Sequence, residues 1–188
     1  TRHIEPRLRE WAARQQQGAP ARPLQRAERL KVCFGLDGGS WDEEKVLERY
    51  EVLYEAGLLA EAKRDGREAA RNWTNLPELG VPLSFDHRRI AATAMGRLRA
   101  KIKYRPVVFE LMPFDFTLFE LQRTVESILG SHLHKQNFRR LVEGCGLVEP
   151  TGGLRLRTGG RPAQLYRFRR DVVYEHASPG VRLKPGRM

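Results

Sequence analysis

The stretch from Thr117 to Phe168 constrains this 188-residue chain more than any other. Thr117 and Glu120 fit a capping box. The hydroxyl takes a backbone N–H of the first turn, and the carboxylate reaches back to the N–H of the cap residue. Leu118, Leu121, Val125, Ile128 and Leu129 follow at helical spacing and make one apolar stripe. Gly130 can take the left-handed conformation that ends a helix. A second helix is predicted near Leu133–Glu143 after a connection of about three residues, as a helix-turn-helix needs.

That second helix faces two ways. Leu133, Phe138, Leu141 and Val142 suit a core, whereas His134, Lys135, Gln136, Asn137, Arg139 and Arg140 fall largely on the other faces. Lys and Arg neutralise phosphates and can reach guanine O6 and N7, while Gln and Asn pair with adenine. Gly146-Leu147-Val148-Glu149-Pro150 reads as a short strand. Gly152-Gly153 and Gly159-Gly160 then bracket Leu154-Arg155-Leu156-Arg157-Thr158, and Arg161-Pro162 follow. Glycines permit a tight turn, and an arginine at its tip can enter a minor groove. Arg155, Arg167 and Arg169 alternate with apolar residues, so one strand face is expected to be core and the other basic. Capped helix, basic helix, strand, glycine-rich turn and basic strand is the order of a winged helix-turn-helix, and it points to duplex DNA. Thr117, His134, Lys135, Gln136, Asn137, Arg139, Arg140, Arg155, Arg157, Gly160 and Arg161 are the candidate contacts. Taken alone, the basic helix also satisfies a solvated amphipathic face, and the basic turn an ordinary hairpin.

Charge placement separates the halves of the chain. The net charge is +11, and residues 84–170 hold 17 Lys/Arg against 7 Asp/Glu, whereas residues 1–83 hold 14 of each. Such asymmetry suggests a polyanionic partner for the basic half. No apolar run approaches the roughly 20 residues that span a bilayer, so no membrane partner is expected. Cys33 and Cys145 sit far apart among apolar neighbours and read as free thiols of a reducing compartment.

The fold class is mainly α with a small antiparallel sheet (α+β), an N-terminal helical region preceding the winged domain. Helices are predicted over Ile4–Gln17 and Leu24–Leu36. A Ser40/Glu43 capping box starts another from about Trp41, which Gly57 ends. Leu59–Arg71 reads as a further helix and residues 72–83 as a connector. A helix capped by Asp86 carries Ile90, Met95, Leu98 and Ile102 inward and ends near Tyr104, before Arg105-Pro106. Val107–Leu111 reads as the first strand of the winged domain. The domains are thus 1–83, 84–170 and a frayed tail, 171–188.

Catalytic constellations are not evident. Glu51–Leu58 faintly matches the metal-binding helix of Nudix hydrolases, but Tyr50 stands where an arginine belongs and Tyr54 replaces a glutamate. Mg²⁺ needs several oxygen ligands beside the substrate phosphates, and this pattern does not supply them. His132 and His134 are separated by one residue with Cys145 downstream, and a zinc site would need two further well-placed ligands. The chain is expected not to be an enzyme and to hold no cofactor or metal.

Phe85-Asp86-His87-Arg88-Arg89-Ile90 and Arg97–Val107 resemble the bridge into the winged-helix domain of Nudix-related transcriptional regulators of NAD metabolism. Phe116-Thr117-Leu118, Lys135–Arg140 and Gly160–Phe168 extend the resemblance. It is nearest to the NadQ branch and more distant from NrtR; Asp42–Ala62 is similar to that branch's helical insert. The resemblance implies a bacterial, cytoplasmic repressor of NAD-biosynthesis genes, dimeric at full length, that binds double-stranded operator DNA. It also implies an NAD-type effector held by a Nudix-like domain that precedes Thr1 and is absent here. By matched position, Lys135, Asn137, Arg139, Arg140 and Arg161 inherit the DNA contacts. One rival is an accessory C-terminal domain of a Nudix ADP-ribose-type pyrophosphate hydrolase. Another is a winged helix used for protein contacts, which would need an apolar patch on the second helix.

Overall fold

Seven α-helices and one two-stranded antiparallel sheet make up the described part of the chain. The structure, a computed structural model, describes residues 3–14, 25–76, 78–156 and 162–171. The chain divides into two units, Thr1–Gly96 and Arg97–Met188.

In the first unit, α1 (Glu5–Ala13), α2 (Arg26–Phe34) and α3 (Val46–Glu55) bury one side each. Leu8, Trp11, Leu30, Cys33, Val52, Ala56 and Leu58 form their common core. Arg29 and Glu55 tie α2 to α3 through a half-buried ion pair at 2.6 Å. The predicted helix from Trp41 begins instead at Val46. Asp42 Oδ1 accepts the Glu44 N–H at 2.9 Å and closes a turn. The buried Arg49 donates to the carbonyls of Asp42 and Cys33, which holds that turn against α2. A helix starting at Trp41 would commit the Asp42 carbonyl to the Val46 N–H and so take that acceptor from Arg49. Gly57 ends α3 as predicted, at φ +74°, with a would-be Cβ only 2.3 Å from the Ala70 nitrogen. No other residue fits there.

The predicted helix over Leu59–Arg71 splits into α4 (Ala60–Arg64) and a 3-10 turn (Glu68–Asn72), because the chain reverses through Gly66 at φ +70°. Helix α5 (His87–Lys101) follows the connector, and the division between units falls within it. Glu61, 1% exposed, pairs with Arg88 at 2.7 Å, fastening the start of α5 to α4. Burial pushes the Glu61 carboxyl up, but the Leu83 N–H and Arg88 outweigh it and hold it below its ordinary value. Ile90 was expected inward and is exposed; Ala92 takes the inward position against Tyr50 and Leu59. A residue as small as alanine allows α5 to lie close to those two side chains.

In the second unit, α6 (Leu118–Leu129) and α7 (Lys135–Gly144) are followed by β1 (Val148–Arg155) and β2 (Ala163–Phe168). All five residues of the predicted α6 stripe are buried, together with Ile102, Val108, Phe138, Val142 and Leu147. Val107–Leu111 is a 3-10 turn and not a strand. Its backbone is satisfied locally, Phe109 N–H to Pro106 and Met112 N–H to Phe109. The Phe109 ring stacks on Phe168 at 4.4 Å and packs near Phe116 at 5.8 Å. Strand propensity of a Val-Val-Phe run is a preference for a half-buried pleat, and here the core claims the ring instead. Phe116 supplies the sheet contact, exchanging both backbone hydrogen bonds with Tyr166. Gly152-Gly153 does not bracket the hairpin turn. It lies inside β1, where the register slips between Pro150 and Leu154.

No helix among the described residues is long and apolar enough to cross a membrane. Cys33 is buried and Cys145 half-buried, and both thiols are free.

Candidate nucleic-acid interface

Helix α6 is the platform. The Thr117 hydroxyl accepts the Glu120 N–H at 3.2 Å, and Glu120 Oε2 accepts the Thr117 N–H at 2.7 Å, so the predicted capping box is formed. Thr117 is 4% exposed, and its side chain serves the start of α6. At the other end Gly130 adopts φ +73° and its N–H donates to the Glu126 carbonyl. Arg99 Nε, from α5, donates to the Ile128 carbonyl at 2.6 Å, satisfying one of the last acceptors of the helix.

Between α6 and α7 lies Leu133, half-buried, with both its peptide groups held by α6 side chains. Its N–H donates to Glu126 Oε1 at 2.9 Å, and its carbonyl accepts from Gln122 Nε2 at 2.8 Å. The Leu133 N–H, with Gln122, holds the Glu126 carboxyl below its ordinary range. Sequence reasoning passed over Gln122 and Glu126. Two polar residues four apart, beside an apolar stripe and ahead of a tight turn, were the signal that could have found them.

Helix α7 rests Phe138 and Val142 in the core. His134, Lys135, Gln136, Asn137, Arg139 and Arg140 are all exposed. Lys135 with Arg139, and Gln136 with Arg140, form adjacent i,i+4 rows on the solvent side. None of these six side chains hydrogen-bonds or pairs with another described residue. The first turn of α7 has neither a side-chain cap nor an acidic residue, so its positive end is left unscreened. A row of free donors beside an uncapped helix start can meet phosphates and base edges at once.

The strands contribute differently. Arg155 is half-buried and engaged within the protein, 3.5 Å from Glu120 Oε2 and 3.4 Å from the Asp115 carbonyl. Arg167 pairs across the ladder with Glu149 at 2.6 Å, and Arg169 with Asp171 at 2.5 Å. The expected basic strand face is therefore largely neutralised by partners, whereas the α7 face is not. Arg157, Gly160 and Arg161 lie outside the described residues. Among the described residues no group of three His, Cys, Asp or Glu could hold a metal ion.

The family described as the NrtR DNA-binding winged helix domain matches residues 108–168. One relative, the ADPR responsive transcriptional repressor NtrR of Acinetobacter baylyi, is 44% identical over 97 residues, which are 51% of this chain and 38% of the relative. Among solved structures, Shewanella oneidensis NrtR complexed with a 27mer DNA is 38% identical over 51% of this chain and 43% of that one, with a TM-score of 0.44. Shewanella oneidensis NrtR alone is 41% identical over 50% of this chain and 42% of that one, with a TM-score of 0.42. The chain thus spans less than half the length of these relatives. The family model carries the NrtR name, the branch given as the more distant in the sequence resemblance. Residues 108–168, with the capped α6, the exposed basic face of α7 and the β1–β2 hairpin, match the NrtR DNA-binding winged helix domain.

Proposed function

We propose that this chain carries the operator-binding part of a transcriptional repressor of NAD-metabolism genes, acting on the bacterial chromosome in the cytoplasm. The observation that carries this reading is the α7 face. Its six exposed polar and basic side chains have no partner among the described residues, and the helix is mounted on a capped, well-packed α6. Lys135, Gln136, Asn137, Arg139 and Arg140 enter the major groove, with His134 at its edge. Arg157, Gly160 and Arg161, which lie outside the described residues, meet the neighbouring phosphates or minor groove. Thr117 and Arg155 support this surface from within. Residues 84–170 act as the DNA-binding domain and residues 1–83 as a helical region between it and a sensor; the tail expected over 171–188 lies, beyond Asp171, outside the described residues.

The name of the Acinetobacter relative supports an ADP-ribose-type nucleotide as effector, bound outside the helix-turn-helix by a Nudix-like domain. The repressor works as a homodimer on a pseudo-palindromic site, and this chain itself performs no catalysis. The test is selection of duplexes from a random-sequence library by the 188-residue chain, followed by fluorescence anisotropy on the winners. Recovery of a shared motif bound far more tightly than random duplex supports the reading. Uniform affinity for all duplexes, or none, sinks it.

A further inference from the structure

Gln122 and Glu126 are polar residues set beside the buried stripe of α6, Gln122 only 8% exposed and the Glu126 side chain 9%. With Leu133 they close a ring of three hydrogen bonds: Leu133 N–H to Glu126 Oε1, Gln122 Nε2 to the Leu133 carbonyl, and Gln122 Nε2 to Glu126 Oε1 at 3.0 Å. Leu133 is the second residue before Lys135, where α7 starts. The ring fixes both peptide planes flanking that residue, and with them the direction in which the chain enters α7.

Burying such a group is costly unless every member is satisfied, and an apolar pair of similar shape would serve stability at least as well. Its use is geometric. Base reading depends on bidentate hydrogen bonds whose distances and angles tolerate little error, whereas phosphate neutralisation depends mainly on the number of charges near the backbone.

We propose that Gln122 and Glu126 are positioning residues for sequence discrimination: by clamping Leu133 they set the pose from which α7 reads bases, without touching DNA themselves. The inference rests on the DNA-binding reading above. It separates two quantities that a contact residue would change together. Loosening the clamp lowers the affinity for the preferred duplex and leaves random-duplex affinity where it was.

The test uses the 188-residue chain and two probes: a duplex it selects from a random library, and a random duplex of equal length. Gln122→Met keeps the shape of the side chain and removes both its hydrogen bonds. Glu126→Ala and Glu126→Gln remove the same charge, but only the glutamine keeps an oxygen for the Leu133 N–H. Binding is measured at temperatures where circular dichroism shows each variant folded. The preferred-to-random affinity ratio should fall about tenfold in Q122M and in E126A, roughly the worth of one bidentate base contact. It should be retained in E126Q, and the random-duplex affinity of Q122M should be unchanged. Equal ratios in E126A and E126Q, or a wild-type ratio in Q122M, overturn the inference alone. If Q122M does not fold, the Glu126 pair decides by itself. A wild-type chain with no preferred duplex overturns the DNA reading, and this inference with it.

Discussion

Arg155 Nη2 lies 3.5 Å from Glu120 Oε2, the same oxygen that accepts the Thr117 N–H at 2.7 Å. A cation of β1 and the first turn of α6 therefore meet on one carboxylate. Both side chains are about two-fifths exposed, 41% and 39%, so solvent screens the pair. Arg155→Ala should cost about 0.5–1 kcal/mol and lower the melting temperature by roughly 2–5 °C. The slope of operator affinity against salt should not move. Thermal melts and a salt titration of the variant check both statements. An unchanged melt with a reduced slope would make Arg155 a phosphate contact instead.

Thr117 predicts a different variant pattern. Its hydroxyl caps α6 while the residue is buried, so Thr117→Ala leaves a first-turn N–H unpaired and should destabilise by about 1 kcal/mol. Thr117→Ser keeps the oxygen and should recover most of the loss. Urea midpoints at constant slope measure it. Equal midpoints for the alanine and serine variants would remove the cap from the account of why α6 starts where it does.

The contrast between α6 and the Val107–Leu111 turn shows what was legible in the sequence. Local chemistry could be read directly: the Thr117/Glu120 box, Gly130 and the stripe from Leu118 to Leu129 depend on neighbours within a few residues. Phe109 could not be placed, because its partner rings, Phe116 and Phe168, are set by tertiary packing. The start of α3 was misplaced for the same reason. Arg49 reaches the Asp42 and Cys33 carbonyls, and no local motif announces that reach. At the candidate interface the exposed α7 residues were identifiable by type and spacing. The capture of Arg155, Arg167 and Arg169 by Glu120, Glu149 and Asp171 was not, because charge counts do not say which cations are already paired.

The free face of α7 gives the most direct prediction about binding. Lys135, Arg139 and Arg140 are exposed and have no partner among the described residues, so removing any one costs the fold little. Each alanine variant that loses a phosphate contact should reduce the salt slope of operator binding by about one. One that loses a base-reading contact should cost about 1–3 kcal/mol and relax preference at a single position. Anisotropy across a series of salt concentrations, with single-position operator variants, sorts the three residues. Three variants with wild-type affinity, slope and preference would show that this face does not meet DNA.

Glu126 ties the turn to acid stability. Its carboxyl is held below the ordinary glutamate range, first by the Leu133 N–H, then by Gln122, with His132 and Arg123 adding charge. Its folded value lies below its unfolded one. The stabilisation is therefore fully present above the ordinary glutamate range, and it is lost as pH falls through the depressed folded value. Other depressed carboxyls, Asp37 and Asp65 among them, contribute in the same window. The decisive quantity is therefore the difference between the wild type and Glu126→Gln, which keeps the hydrogen bonds and cannot titrate. Urea unfolding from pH 7 down to about 3 should show the wild type losing more stability than E126Q, with the gap opening only at the acid end. Parallel pH profiles would mean that the carboxylate charge contributes nothing to holding Leu133, leaving the acceptor oxygen alone to do so.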